Sequence, residues 1–217
     1  MKNNFLKVIK YRPSIKMVIL VIASFSLVGF LSLNIFTPSS YIDNVDNGSG
    51  TYIQEKTFGE ISLMLKHKPA AYFACKEVLD GDSETNKYSD LKKEYISTSN
   101  YTLRIEALES PNLVRALVND QQEYQAFIEY LSFGIRADLE LHIGEEIIPC
   151  AFTHFERNYD TAPIIQVELG FSLDDVTQKK LDDGSEWSIK FNAERFNLGP
   201  LYFLFEDHKI NDNPYII

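Results

Sequence analysis

The sequence lacks the short motifs that identify common enzyme and cofactor-binding families. It contains no GxSxG nucleophile elbow, no HExxH, no P-loop and no CxxC pair. Its four histidines show no metal-ligand spacing. The acidic loop at 80–84 does not fit an EF-hand, because Thr85 stands where that loop needs glycine. We therefore predict no catalytic residues, no bound cofactor and no metal site.

The first acidic residue of the chain is Asp43, so residues 1–42 contain no aspartate or glutamate. Residues 1–16 carry five cations and no acid, and an uncharged run of twenty residues follows at 17–36. Twenty residues at 1.5 Å rise make about 30 Å of helix, which is the thickness of a bilayer's hydrocarbon core. The pattern predicts a basic tail at 1–16 and a single transmembrane anchor at 17–36.

A cleaved signal peptide and a buried core helix are the alternatives to this anchor. The leader is long for a signal peptide, and no clean small-x-small cleavage site follows the apolar run. No cysteine lies near the run, which excludes a lipoprotein signal. The excess of cations before the run predicts a cytoplasmic N-terminus and an extracytoplasmic C-terminal part, in the periplasm or at the cell surface.

The rest of the chain is strongly acidic. From residue 41 onward there are sixteen lysines and arginines against thirty-one aspartates and glutamates. Such a surface repels phosphate backbones and anionic headgroups, so we expect no nucleic-acid partner and membrane contact through the N-terminal helix alone. The excess charge also keeps an exported domain soluble.

The stretch at 37–57 is rich in Ser, Asn, Asp and Gly, and it predicts a flexible linker. Residues 58–217 are enough for one domain with its own core. Apolar residues alternate with polar ones over 101–107, 135–141, 165–173 and 187–193, which is typical of antiparallel strands with one dry face. We predict a mainly β extracytoplasmic domain, an antiparallel β-sandwich of about seven to eight strands, including a weaker strand at 71–79.

One amphipathic helix is predicted in this domain. Asp120 and Glu123 form a capping-box pattern, and an apolar stripe follows at helical spacing up to Leu131. A shorter helical turn is expected at 174–181 between two strands.

Cys75 and Cys150 are the only cysteines. In an oxidising compartment they could form a disulfide that stabilises the fold by about 4–5 kcal/mol, and two buried free thiols are the alternative. Cys150 also precedes His154 by four residues, but four strand residues span about 13 Å. A nucleophilic Cys–His pair needs about 3 Å, so this pair is excluded on a straight strand.

The hairpin before Cys150 also argues against a nucleophilic role for this cysteine. A two-residue turn with Gly144 first would pair Ile143 with Glu146, and therefore Leu139 with Cys150 and Ala137 with Phe152. These neighbours are apolar, so we expect Cys150 to lie on the core face.

A short basic tail, one span, a linker and an acidic β domain are also the organisation of many bacterial envelope proteins, which is an analogy of architecture only. We expect a binding or scaffolding domain that contacts another envelope protein. The predicted interaction patch consists of exposed apolar residues near the C-terminus, namely Tyr202, Leu204, Tyr215 and Ile216. The alternative is a membrane-anchored hydrolase or glycan-acting enzyme that uses carboxylates, which requires a pocket lined by acids with raised pKa values.

Overall fold

The computed structural model describes residues 35–48, 51–81, 87–110, 112–157, 164–183, 185–205 and 215–216. The basic tail and all but the last two residues of the predicted anchor lie outside these ranges. Among the residues that the structure describes, no helix is long and apolar enough to cross a membrane.

In the described part of the chain, two antiparallel sheets with nine strands in total form the framework. The five-stranded sheet contains, in spatial order, β2 (Ile53–Phe58), β3 (Ile61–Lys68), β4 (Thr98–Ala107), β8 (Ile164–Ser172) and β7 (Phe152–Glu156). The four-stranded sheet contains β10 (Pro200–Phe205), β9 (Trp187–Asn192), β5 (Leu139–Ile143) and β6 (Glu146–Pro149). A separate parallel pair joins β1 (Ile35–Phe36) to β11 (Tyr215–Ile216).

Alternate side chains of both sheets meet in one core. Trp187, on β9, donates a hydrogen bond from Nε1 to the hydroxyl of Tyr101 on β4, at 2.8 Å. The ring of Phe205, on β10, lies 5.7 Å from that of Tyr101 and is stacked on Trp187. Each such aromatic contributes on the order of 2–3 kcal/mol by leaving water. The prediction of a mainly β fold with antiparallel sheets is confirmed, although nine strands form the sheets instead of seven or eight.

Among the residues that the structure describes, six α-helices accompany the sheets, where the sequence predicted one long helix and one short turn in this domain. They are α1 (Pro38–Asn47), α2 (Ala70–Leu79), α3 (Tyr88–Tyr95), α4 (Leu113–Leu117), α5 (Gln121–Glu129) and α6 (Asp175–Asp182). Helices α5 and α6 occupy the two predicted helical segments.

The predicted cap of α5 is present. The Asp120 carboxylate accepts a hydrogen bond from the Glu123 backbone N–H at 2.8 Å. The Glu123 carboxylate accepts one from the backbone N–H of Asn119 at 2.7 Å. The helix then continues through a π turn, Tyr130–Gly134, and a 3-10 turn, Ile135–Asp138, into β5.

The strand predicted at 71–79 is wrong, because this segment forms α2. Its buried residues are Ala71, Tyr72, Ala74 and Cys75, a spacing that fits one face of a helix and not one face of a strand. Alanine is also the best helix former.

The flexible linker predicted at 37–57 is also wrong for the residues described there. Helix α1 begins after Thr37, whose hydroxyl accepts a hydrogen bond from the Ser40 N–H at 3.2 Å while the Ser40 hydroxyl caps Thr37 in return. Tyr41 and Val45, one turn apart, are completely buried. The domain therefore begins before residue 58, and the polar composition of α1 describes only its solvent face.

The predicted hairpin register holds as far as Cys150. Ile143 lies opposite Glu146, and the Cys150 N–H donates to the Leu139 carbonyl at 3.2 Å. The predicted pairing of Ala137 with Phe152 is wrong. The chain leaves the four-stranded sheet after Pro149, and Phe152 lies opposite Gly170 in the five-stranded sheet.

Candidate interaction surface

The outer face of the four-stranded sheet carries two rows of side chains that point away from the core. The register aligns Tyr202, Lys190, Glu140 and Pro149 in the first row, and Leu204, Ser188, His142 and Ile147 in the second. We call these eight residues the outer face. It is built by period-two alternation, since the intervening residues of β5, β9 and β10 are buried.

An ion cluster occupies the middle of the outer face. Glu140 Oε2 accepts hydrogen bonds from Lys190 Nζ at 3.0 Å and lies 2.9 Å from His142 Nε2. The hydrogen bonds from His142 and then Lys190 lower the pKa of Glu140. The same hydrogen bond to Glu140 raises the pKa of Lys190. Glu140 and Lys190 therefore satisfy each other's charge.

Apolar side chains flank this cluster on both edge strands. Tyr202 and Leu204, on β10, are 50% and 49% exposed, and Ile147, on β6, is 59% exposed. The Tyr202 ring meets the His142 ring edge-on at 6.1 Å. All six residues of β10 are uncharged, whereas natural edge strands usually carry charges that discourage pairing with other proteins.

An acidic pocket adjoins the outer face at the Pro200 end of β10. Its volume is about 290 Å³. The Tyr130 hydroxyl donates to Asp138 Oδ2 at 2.8 Å, and burial together with this bond raises the Tyr130 pKa. The lining of the pocket consists of Ala137, Asp138, Glu140, Lys190, Asn192, Glu194 and Pro200. It therefore contains three carboxylates and one ammonium.

Two of the four predicted patch residues lie together here. Tyr202 and Leu204 share the outer face, two residues apart on β10. Tyr215 and Ile216 form β11 beside β1, and Ile216 is partly buried against the core. Sequence reasoning missed Ile147 and the ion cluster, although the predicted hairpin register already placed His142 opposite Ile147.

The two cysteines are free and buried. Burial raises the pKa of the Cys75 thiol, on α2, to about 12 and that of Cys150 to about 11. The Cys150 thiol donates to the Phe152 carbonyl at 3.1 Å. A thiolate is the reactive form of cysteine, so both thiols have the character of inert core groups.

No group of three or more metal-ligating residues that could hold an ion occurs in the part of the chain that the structure describes. Three described carboxylates have shifted pKa values, those of Glu140, Glu146 and Asp174, and all three pKa values are lowered. The hydrogen bonds that cause these shifts keep the carboxylates ionised.

No protein-family model matches the sequence, and no curated protein is significantly similar to it. A solved protein of unknown function from Burkholderia pseudomallei is 16% identical, over 82% of this chain and 93% of that protein, with a TM-score of 0.39. A DUF4426 family protein from Pseudomonas aeruginosa is 10% identical, over 71% and 91%, with a TM-score of 0.33. A functionally unknown protein from Listeria monocytogenes is 10% identical, over 78% and 95%, with a TM-score of 0.34. Likenesses at these TM-scores carry no argument about function.

Proposed function

We propose that this chain is a membrane-anchored binding module of the bacterial envelope and that its outer face docks another envelope protein. The observation that carries the proposal is the exposure of Tyr202, Leu204 and Ile147 around an ion cluster that is already paired. Aromatic and aliphatic anchors next to satisfied polar groups are the usual composition of protein interfaces.

The energetics favour such a contact. Tyr202 and Leu204 each keep about half of their surface in water. Covering the rest would contribute about 1–2 kcal/mol per side chain at the usual coefficient for apolar area. The central charges cost less to cover than unpaired charges would, because Glu140 and Lys190 stay paired with each other.

The anchor and the compartment are part of the same proposal. The apolar run from residue 17 to residue 34, before β1 begins, holds the chain in the membrane, and the cations at 1–16 keep the N-terminus in the cytoplasm. We propose that the two sheets form a β-sandwich, in which the outward side of each sheet is available for contact with another protein. The domain then presents the outer face on the extracytoplasmic side.

The acidic pocket favours the alternative of an anchored hydrolase or glycan-acting enzyme. Two carboxylates with separated pKa values, one raised and one ordinary, are the requirement for that chemistry. The pKa of Glu140 moves in the opposite direction from that of a general acid. We therefore place binding first.

A photocrosslinking residue at position 202, in the full chain in its native membrane, tests the proposal. The matched control is position 79, because Leu79 is 51% exposed but lies on α2, which packs on α1, α3 and β4 of the other sheet. We expect an adduct with one protein from position 202 and none from position 79. The double variant Tyr202→Ser, Leu204→Ser should lose co-purification of that protein while its melting temperature stays the same. Adducts of equal yield from both positions would refute the docking surface.

A further inference from the structure

We propose that the docked partner contributes an extended segment that carries an arginine or lysine and an apolar side chain two residues apart. The cation enters the acidic pocket, and the apolar side chain packs on Tyr202. This inference rests on the proposed function, since it concerns the chemistry of the partner at the same face.

The spacing comes from the strand geometry. Pro200 lines the pocket and is followed two residues later by Tyr202, on the same face of β10. Two residues of strand span about 7 Å. A partner in extended conformation that lies along β10 presents residues i and i+2 at the same separation, so one of them reaches the pocket when the other reaches Tyr202.

The charge comes from the pocket lining. Lys190 is already bonded to Glu140, and the Arg195 guanidinium packs on the Tyr130 ring at 5.3 Å. This leaves Asp138 and Glu194 as the lining carboxylates without a direct ion pair among the described residues. Asp138 holds the Tyr130 hydroxyl through one oxygen, Oδ2. A guanidinium offers five N–H donors in a planar fork that matches carboxylate pairs, and an ammonium offers three.

A second copy of this chain is a poor occupant. The chain carries a formal charge of −10, and the described cation on the outer face, Lys190, is bonded to its own Glu140. Two such acidic surfaces repel each other, whereas a cationic segment is attracted. The observations therefore favour a basic partner over self-association.

The probe is a fluorescein-labelled peptide of sequence Gly-Ser-Arg-Ser-Leu-Ser-Gly, measured by fluorescence anisotropy with the full chain in lipid nanodiscs. Citrulline in place of arginine keeps the shape and removes the charge. We expect the citrulline peptide, and separately the chain variants Glu194→Gln and Asp138→Asn, to bind about three- to fivefold more weakly, as exposed ion pairs allow. Glu60→Gln, in the exposed β2–β3 turn, removes the same charge elsewhere and should leave the affinity unchanged.

Two results would overturn this inference while the proposed function stands. One is an unchanged affinity for the citrulline peptide or in Glu194→Gln while the protein adduct from position 202 persists. The other is an adduct from position 202 with a partner segment that lacks a cation two residues from the contact. An adduct consisting of two copies of this chain would overturn both this inference and the proposed docking of another protein. Loss of the adduct itself refutes the proposed function instead.

Discussion

Acidification should destabilise the described domain through one histidine, His67. Its side chain points from β3 into the core, where its ring lies 4.9 Å from that of Tyr101 and 5.7 Å from that of Trp187. Only 8% of the residue is exposed, and Nδ1 has no hydrogen-bond partner among the described residues. Burial without an acidic partner disfavours the imidazolium and lowers the pKa of His67 from 6.5 to about 3.

The sign of the effect follows from linkage. Between pH 6.5 and pH 3 the unfolded chain binds a proton at His67 and the folded chain does not. The free energy of unfolding therefore keeps its full value above pH 6.5 and falls as the pH drops toward the folded-state pKa, by about 1.4 kcal/mol per pH unit. At pH 5 the loss is about 2 kcal/mol, and it approaches about 5 kcal/mol near pH 3.

Urea unfolding of the full chain in mild detergent at pH 7.5 and pH 5 measures this loss. Trp187 is the only tryptophan and is buried beside His67, so its emission reports unfolding of this core. His67→Leu should remove about 2 kcal/mol of the difference between the two pH values, whereas His154→Gln, at an exposed position, should keep it. Comparing variants cancels the acid sensitivity of the many carboxylates. If His67→Leu and the wild type lose the same free energy, His67 is not the buried neutral base described here.

Three further predictions concern a cap, a close contact and the topology. Asp120→Ala should lower the free energy of unfolding by about 1 kcal/mol, because it leaves the Glu123 N–H without its cap, and Asp120→Asn should not. Gly170→Ala should destabilise, since a Cβ there would lie 2.2 Å from the Phe152 ring. The cost should fall by about 1 kcal/mol in a Phe152→Ala background, and full additivity would contradict the contact. A reporter that fluoresces only in the cytoplasm, fused after Ile217, should stay dark, and a bright fusion would reverse the proposed topology.

The strands that sequence reasoning found are those with one dry face and one wet face. Over 101–107 each apolar residue is buried, because β4 lies in the middle of the five-stranded sheet and packs on the other sheet. The alternation extends one step too far at Ile135 and Ala137, which belong to a 3-10 turn instead. Two apolar residues at i and i+2 occur in a short helical turn as well as in a strand, so the alternation at Ile135 and Ala137 does not distinguish the two. In the fold, the π turn before them leads directly into the 3-10 turn.

Prediction from the sequence missed helices whose residues are mostly polar. Helix α1 buries only Tyr41 and Val45, and the residues around them are Ser, Asp and Asn, which also dominate linkers. The reciprocal cap between Thr37 and Ser40 was present in the sequence but is weak evidence without a longer apolar stripe. Because α1 packs against the core, the segment predicted as a flexible linker is part of the folded domain.

The outer face shows where prediction from sequence stops. Alternation along β10 is enough to place Tyr202 and Leu204 on the same outward side of the strand, and both are half exposed. What lies beside them depends on strand order, since β9 separates β10 from β5 although forty-three residues lie between β5 and β9 in the chain. Only that order brings Glu140 to Lys190 and turns scattered charges into a paired cluster between two apolar edges. A prediction of the partner's charge therefore needs the fold, whereas a prediction of an exposed apolar patch needs only the pleat of one strand.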